Sequence, residues 1–206
     1  MQAPLPEIVT WPGLTPYAEG VRRMEEAVAG VLAGGAERIF LCEHEPVLTV
    51  GSSGNAADVF GTDIPVVETG RGGKVTYHGP GQRVVYLVVD LARWGKDVRA
   101  YVRWLEAWLM ASVAEFGVQA AAGSGDEIGI WVGNEKLAAI GVRVRKGVAF
   151  HGIALNVEND LAVYKTFVPC GIKDKGVTSL RALGVKADMA TVDAALVRQL
   201  ARLIPA

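Results

Sequence analysis

The run from Val84 to Leu91, VVYLVVDL, is apolar and β-branched with no polar alternation before Asp90, so it reads as a strand buried on both faces. Such a strand needs a covered sheet. Thr15-Pro16 reads as an N-cap and first helical residue, after which Val21, Met24, Val28 and Leu32 recur at helical spacing until Gly34-Gly35. Asp97 caps a second helix whose apolar stripe runs through Val98, Tyr101, Val102, Leu105, Leu109 and Phe116 to Gly117. Thr191 opens a third, with Val192, Leu196 and Leu200 on its apolar side. Short strands are expected at Ile39 to Cys42, Val47 to Val50 and Ile64 to Val67. A series of strands follows over Glu127 to Val157: IGIWV, KLAAIGVRVR and VAFHGIALNV, the last two joined across Lys146-Gly147. In the middle one, Val142 and Val144 alternate with Arg143 and Arg145, the pattern of one buried and one solvated face. Strands in runs, with helices before, between and after them, predict an α+β fold: a mixed β-sheet covered by helices. No linker, repeat or composition shift divides residues 1–206, so a single domain is expected.

Half of the residues are hydrophobic, 21% are charged and the net charge is -1, which describes a globular protein without a field that would attract nucleic acid or an anionic membrane. No apolar run approaches the ~20 residues that cross a bilayer. The start, MQAPLPEIVTWPG, lacks the basic and apolar regions of a signal peptide, and a cytoplasmic location is the expectation. Two cysteines, Cys42 and Cys170, are too few for a disulfide scaffold. Cys42 and His44 have C-x-H spacing, but no second ligand pair lies nearby in sequence, so no metal is expected and Cys42 reads as a small core hydrophobe. Trp94, Trp104 and Trp108 read as packing along the second helix, since no basic stripe accompanies them.

Arg71 to Gln82, RGGKVTYHGPGQ, sets five glycine or proline residues among Arg71, Lys74, Thr76, Tyr77, His78 and Gln82. Glycines admit close approach of a ligand to the main chain, and the side chains between them supply donors, acceptors and a flat apolar face. A plain turn has no use for that combination, so a binding loop is the reading. Cys170 in VPCGI, with Pro169 before it and Gly171 after it, fits either a projecting nucleophile or an inert buried thiol. Lys136, by itself, reads as a solvated surface charge.

The pattern R-G-G-x-x-T-Y-H-x-P-G-Q, followed by a strand carrying Tyr86, resembles the signature of the lipoyl(octanoyl) transferases, the octanoyl-[acyl-carrier-protein]:protein N-octanoyltransferases. Lys136 in KLAAIG, Phe150 to Val157 (FHGIALNV) and Cys170 in VPCGI are similar to the family's later motifs in order and spacing, so the resemblance spans roughly Glu43 to Leu180. Leu137 and Ala139 depart from the family's usual isoleucine and serine without removing a chemical group. The resemblance implies the biotin and lipoate protein ligase fold. It implies a Cys170 nucleophile with Lys136 as its proton carrier, and an acyl site lined by Arg71, Gly72, Gly73, Lys74, Val75, Thr76, Tyr77 and His78. Ala139, Ile140 and Gly141, and then Gly152, Ile153 and Ala154, would form strand walls, with His44 at the edge of the site. It further implies an octanoyl-acyl-carrier protein as donor, with lipoyl domains of 2-oxoacid dehydrogenase complexes and the glycine cleavage H protein as acceptors. A bound acyl chain needs no metal or nucleotide.

Small and aliphatic walls suit an acyl chain, at about 0.8 kcal/mol per buried methylene. A free thiol, with a pKa of roughly 8.5, needs an activator at neutral pH; Lys136 fits, and His78 offers a competing Cys/His arrangement. Two other classes stay open at this point. One is an ATP-dependent lipoate or biotin ligase on the same fold, although no Walker-type phosphate loop is present. The other is a noncatalytic module that binds acyl groups or lipoyl domains.

Overall fold

The computed structural model describes residues 5–125, 127–167 and 175–205, so the expected loop around Cys170 lies outside the described residues. In chain order the elements are β1 (Glu7–Thr15), α1 (Tyr17–Leu32), β2 (Arg38–His44), β3 (Val47–Val50), β4 (Val66–Glu68), β5 (Val75–His78) and β6 (Gln82–Asp90). They continue as α2 (Val98–Ala114), β7 (Ala121–Ala122), β8 (Gly129–Val132), β9 (Glu135–Arg145), β10 (Val148–Asn156), β11 (Gly176–Val177) and α3 (Met189–Leu203). The larger sheet has the order β1-β2-β6-β10-β9-β8-β7, with β11 added parallel to the start of β9. It is mixed: β1 runs parallel to β2, and the pairs from β2 to β7 are antiparallel. A smaller sheet, β4-β3-β5, stands beside it. The fold is α+β, as the alternation of elements predicts.

β6 is buried along its whole length except Asp90. Val85, Leu87 and Val89 face one core with Tyr101, Leu105 and Leu109 of α2 and Val192 and Leu196 of α3. Val84, Tyr86 and Val88 face the other, with Met24 and Val28 of α1 and Trp11 of β1. The helices therefore cover both faces of the central strand, which is what a run without polar alternation requires. Trp104 and Trp108 stack in the same layer, and the Trp108 indole N–H donates to the Leu196 carbonyl at 2.9 Å, so the tryptophans tie α2 to α3. Among the described residues no helix is long and apolar enough to cross a membrane.

Four local expectations need correction. Thr15 does not cap α1: it ends β1, a strand the sequence reading missed because Pro12-Gly13 interrupts its pattern, and the register shifts between Thr10 and Leu14 where Gly13 takes φ +63°. α3 begins at Met189, with the Asp188 carboxylate accepting from the Thr191 N–H at 2.8 Å, so Asp188 and not Thr191 is its cap. The stretch from Arg71 to Gln82 is not one loop, because Val75–His78 pairs antiparallel with β3. Val144 is 38% exposed where β9 runs past the core, and its arginine neighbours are not simply solvated: Arg143 and Arg145 lie over the Phe150 ring and Arg145 pairs with Glu25 at 2.7 Å.

The centre of the sheet admits little change. A Cβ on Gly152 would stand 2.2 Å from the Val85 carbonyl oxygen, whereas one on Gly30, at the exposed end of α1, would meet nothing within 4 Å. Gly152→Ala is therefore expected to lower stability by about 1–3 kcal/mol, as overpacking does. Gly30→Ala should raise it by about 0.5–1 kcal/mol through helix propensity. Urea midpoints of the two variants check this, and a midpoint for Gly152→Ala equal to that of the unaltered chain would show that β10 can withdraw from β6 without cost.

Candidate acyl-transfer site

A cavity of about 890 Å³ opens between the two sheets and the first half of α2. Its floor is the middle of β9 and β10, its roof the segment before β5, and its side the α2 residues Val98, Val102 and Glu106. The first two belong to the stripe expected to pack in the core. The roof is fastened by backbone contacts that leave little room for a side chain. The Gly72 N–H donates to the Val142 carbonyl at 3.0 Å, and a Cβ on Gly141 would sit 3.0 Å from the Gly72 oxygen. From the other side, the Ser52 and Ser53 N–H groups donate to the Arg71 and Gly73 carbonyls at 2.9 and 3.1 Å. The Arg71 guanidinium, buried, donates to the Thr49 carbonyl at 2.6 Å and to its hydroxyl at 2.7 Å, so it locks the roof onto β3 while its stem lines the cavity.

The structure brings Arg71 to Thr76, His78, Lys136, Ala139 to Gly141 and Gly152 to Ala154 together around this space. Tyr77 is not among them. Strand alternation turns its ring into the core of the small sheet, edge-on to Tyr164, and its hydroxyl crowds Gly79. His44 is fully buried behind the wall rather than at an edge of the site. Its Nδ1–H donates to the Thr15 carbonyl at 2.8 Å, leaving Nε2 to accept from the Tyr86 hydroxyl at 2.7 Å. Cys42 lies 3.8 Å from that Nε2, and burial pushes its thiol up to about 12, so it stays protonated near neutral pH. Among the described residues no group of three or more metal-ligating side chains gathers.

Lys136 is buried, not on the surface. Its Nζ donates to the Ile128 carbonyl at 3.2 Å and lies 4.8 Å from the centre of the Trp131 ring. Two features aim it. The tight Gly133-Asn134 turn, with Gly133 at φ +58°, starts β9, and the β8–β9 register shifts between Ile130 and Trp131, next to the lysine. On its other side, the Thr178 N–H donates to the Lys136 carbonyl at 3.0 Å, and Lys175, paired with Glu127 at 2.6 Å, covers the same Trp131 ring.

One end of the cavity carries a ring cluster that sequence reasoning missed. Tyr17 of α1 stacks on His78, Tyr86 comes from β6 and His151 from β10. His151 takes φ +63°, rare for a residue with a side chain, and its N–H donates to the Met24 sulfur at 3.3 Å instead of to a strand. Nothing in the spacing marks Tyr17, and His151 was legible only as a neighbour of Gly152. All three histidines are held neutral. Desolvation depresses His78 to about 3, with His44 and Arg71 adding to it, and depresses His151 to about 4, with Arg71 and Arg143 adding; His44 is lowered mainly by burial. The His78 Nδ1–H is also engaged by the Gln82 side-chain oxygen at 2.8 Å.

These depressed values fix a pH dependence. Unfolded histidine titrates near 6.5, so between that value and the folded ones the unfolded chain binds more protons, and stability falls as pH drops from about 6.5 toward 4. Each buried imidazole contributes up to about 1.4 kcal/mol per pH unit within that window. Denaturation midpoints from pH 7 to 4.5 should decline, and His151→Asn, which tolerates the left-handed backbone without titrating, should flatten the decline. A midpoint constant across that range would show that the imidazoles are not held neutral.

The profile of the Lipoyl protein ligase A/B catalytic domain matches residues 16–201. The Octanoyltransferase of Maricaulis maris is 48% identical over 205 residues, covering 95% of this chain and 90% of its own length. That of Paracoccus denitrificans is 46% identical over 213 residues, covering 97% of each. Among solved structures, lipoate-protein ligase A bound with ATP superposes with a TM-score of 0.75 at 18% identity, covering 96% of this chain and 85% of that one. The bipartite lipoate protein ligase of Thermoplasma acidophilum does so with a TM-score of 0.72 at 18% identity, covering 96% and 83%. Those two likenesses establish the lipoate protein ligase fold, which biotin protein ligase from Aquifex aeolicus shares at a TM-score of 0.53 and 13% identity, covering 76% of this chain and 67% of that one. The sequence relatives go further: the chain belongs to the Lipoyl protein ligase A/B catalytic domain family, within its octanoyltransferases, and is an acyltransferase.

Proposed function

We propose that the chain, as one catalytic domain over residues 1–206, transfers octanoyl groups in protein lipoylation by two half-reactions through Cys170. The Cys170 thiolate attacks the thioester of an octanoyl-acyl-carrier protein; the bond to the carrier's sulfur breaks, and that sulfur takes a proton from the Lys136 ammonium. In the second half, the amine of an acceptor lysine attacks the octanoyl-cysteine and gives a proton to the Lys136 amine, while the C–S bond breaks and restores the thiolate. The acceptors are lipoyl domains, including those of 2-oxoacid dehydrogenase complexes and the glycine cleavage H protein.

The observation that carries this reading is a buried lysine opening onto an acyl-sized cavity walled by Ala139, Ile140, Ile153 and Ala154. The competing base and nucleophile are weakened by their surroundings, since burial makes His78 a poor proton acceptor and keeps the Cys42 thiol protonated.

Intact mass after mixing with octanoyl-carrier protein in the absence of ATP should show an octanoyl adduct that Cys170→Ala abolishes. An adduct that survives Cys170→Ala but not Cys42→Ala would overturn the nucleophile, and an absolute ATP requirement would favour a ligase. Lys136→Ala should slow transfer by roughly 10²–10⁴-fold. Lys136→Arg should not restore it, because a guanidinium keeps its proton near neutral pH; near-normal turnover would reduce the lysine to a charge. Ile140→Ala, which widens the cavity, should shift preference toward longer acyl chains, and unchanged selectivity in a chain-length series would remove Ile140 from that role.

A further inference from the structure

Glu106 is a buried carboxylate on α2, between Leu105 and Leu109 of the main core, and it lines the cavity that Lys136 also lines. Its Oε1 accepts from the Gly129 N–H at 3.2 Å. The carbonyl of that same peptide unit, belonging to Ile128, accepts from Lys136 Nζ at 3.2 Å. In a trans peptide the two groups point in opposite directions. One peptide plane therefore separates the carboxylate from the amine and touches both.

The backbone at this point has been built for that orientation. Gly129 takes φ +130°, and a Cβ there would stand 2.3 Å from the Ala138 carbonyl oxygen, so the start of β8 beside β9 demands glycine. Glycine also makes the preceding peptide easy to rotate, and rotation would remove the Ile128 oxygen from Lys136. A hydrogen bond to the N–H on the far side opposes it. An ionised acceptor binds an N–H about twice as strongly as a neutral one, and hydrogen bonds in series polarise one another, so a charge on one side strengthens the carbonyl as an acceptor on the other. Burying a carboxylate is costly, and an amide would satisfy the Gly129 N–H at lower cost. A cation on the far side of the peptide would offset that cost.

We propose that Glu106 is a positioning residue for Lys136, acting through the Ile128–Gly129 peptide: it fixes and polarises that peptide so that its carbonyl holds the lysine amine at the cavity wall. This rests on the reading of Lys136 as the proton carrier. Glu106 itself makes no contact with the reacting atoms in this account.

The test is single-turnover octanoyl transfer from the acyl-enzyme to a lipoyl domain, followed by intact mass over seconds to hours, for Glu106→Gln and Glu106→Ala in the native and Lys136→Ala backgrounds. Glu106→Ala should lower the transfer rate about tenfold with KM within about twofold, and Glu106→Gln should lose less, since its amide oxygen still reaches the N–H. In the Lys136→Ala background neither change should slow transfer further, because the group they act through is gone. Equal losses in both backgrounds would show an independent or purely structural role, and a rise in KM at constant rate would show a substrate contact; either result overturns the proposal. A Lys136→Ala enzyme with native transfer rate would instead refute the proton-carrier reading, which separates the two failures. If Glu106→Ala does not fold, the decision passes to Glu106→Gln, whose side chain preserves shape and acceptor and differs only in charge.

Discussion

The hydrogen bond from the Gly72 N–H to the Val142 carbonyl is the point on which the site depends, because it joins the small sheet to the large one through main chain alone. There is little room for a side chain there: a Cβ on Gly141, on the facing strand, would stand 3.0 Å from the Gly72 oxygen and 3.2 Å from the Arg71 Cδ. With the sheets pinned at that contact, the space beside it becomes the cavity, and its walls are whatever β9, β10 and α2 present. The rigid pairing of β9 and β10, residue against residue from Ala138–Leu155 to Arg145–Val148, makes those walls precise. A cavity built on strands holds its lining groups more exactly than one built on loops.

The electrostatics of the site divide by position. At one end, Tyr17, His78, Tyr86 and His151 form a polar but uncharged cluster, with desolvation keeping the imidazoles neutral and Tyr86 anchored to His44. Next to α2, by contrast, Lys136 is buried with an aromatic face, a peptide carbonyl and, across that peptide, the Glu106 carboxylate around it. Neutral surfaces suit an apolar chain, and in the reaction proposed above the Lys136 amine stands apart from them, at the end of the cavity that would handle the proton. The wall is thus less uniformly apolar than the types at Ala139, Ile140, Ile153 and Ala154 suggest.

Residues adjacent in sequence determine their own local structure, and the amino-acid order alone made much of this protein legible. The doubly buried strand at Val84, the Asp97 cap, the hairpin turn at Lys146-Gly147 and the glycine-bearing segment at Arg71 are each written in neighbouring residue types, because sterics and periodicity act over a few residues. Pattern failed where long-range contact overrode it. β1 was missed because a bulge at Gly13 breaks its period, and Tyr77 was placed with its motif although pleating turns it the other way.

What only the tertiary structure decided is which side chains meet. Tyr17 reaches His78 across sixty-one positions of chain, Glu106 reaches the Gly129 peptide from a different element, and Val98 and Val102 line a cavity rather than a core. Lys136 reads from its neighbours as a surface charge, yet a register shift and a facing tryptophan bury it. Burial and partner choice are sums over contacts between distant segments, and no local pattern contains them; the sequence by itself determined the elements and the chemical groups available, and packing of the two sheets against α2 decided which of those groups share a site.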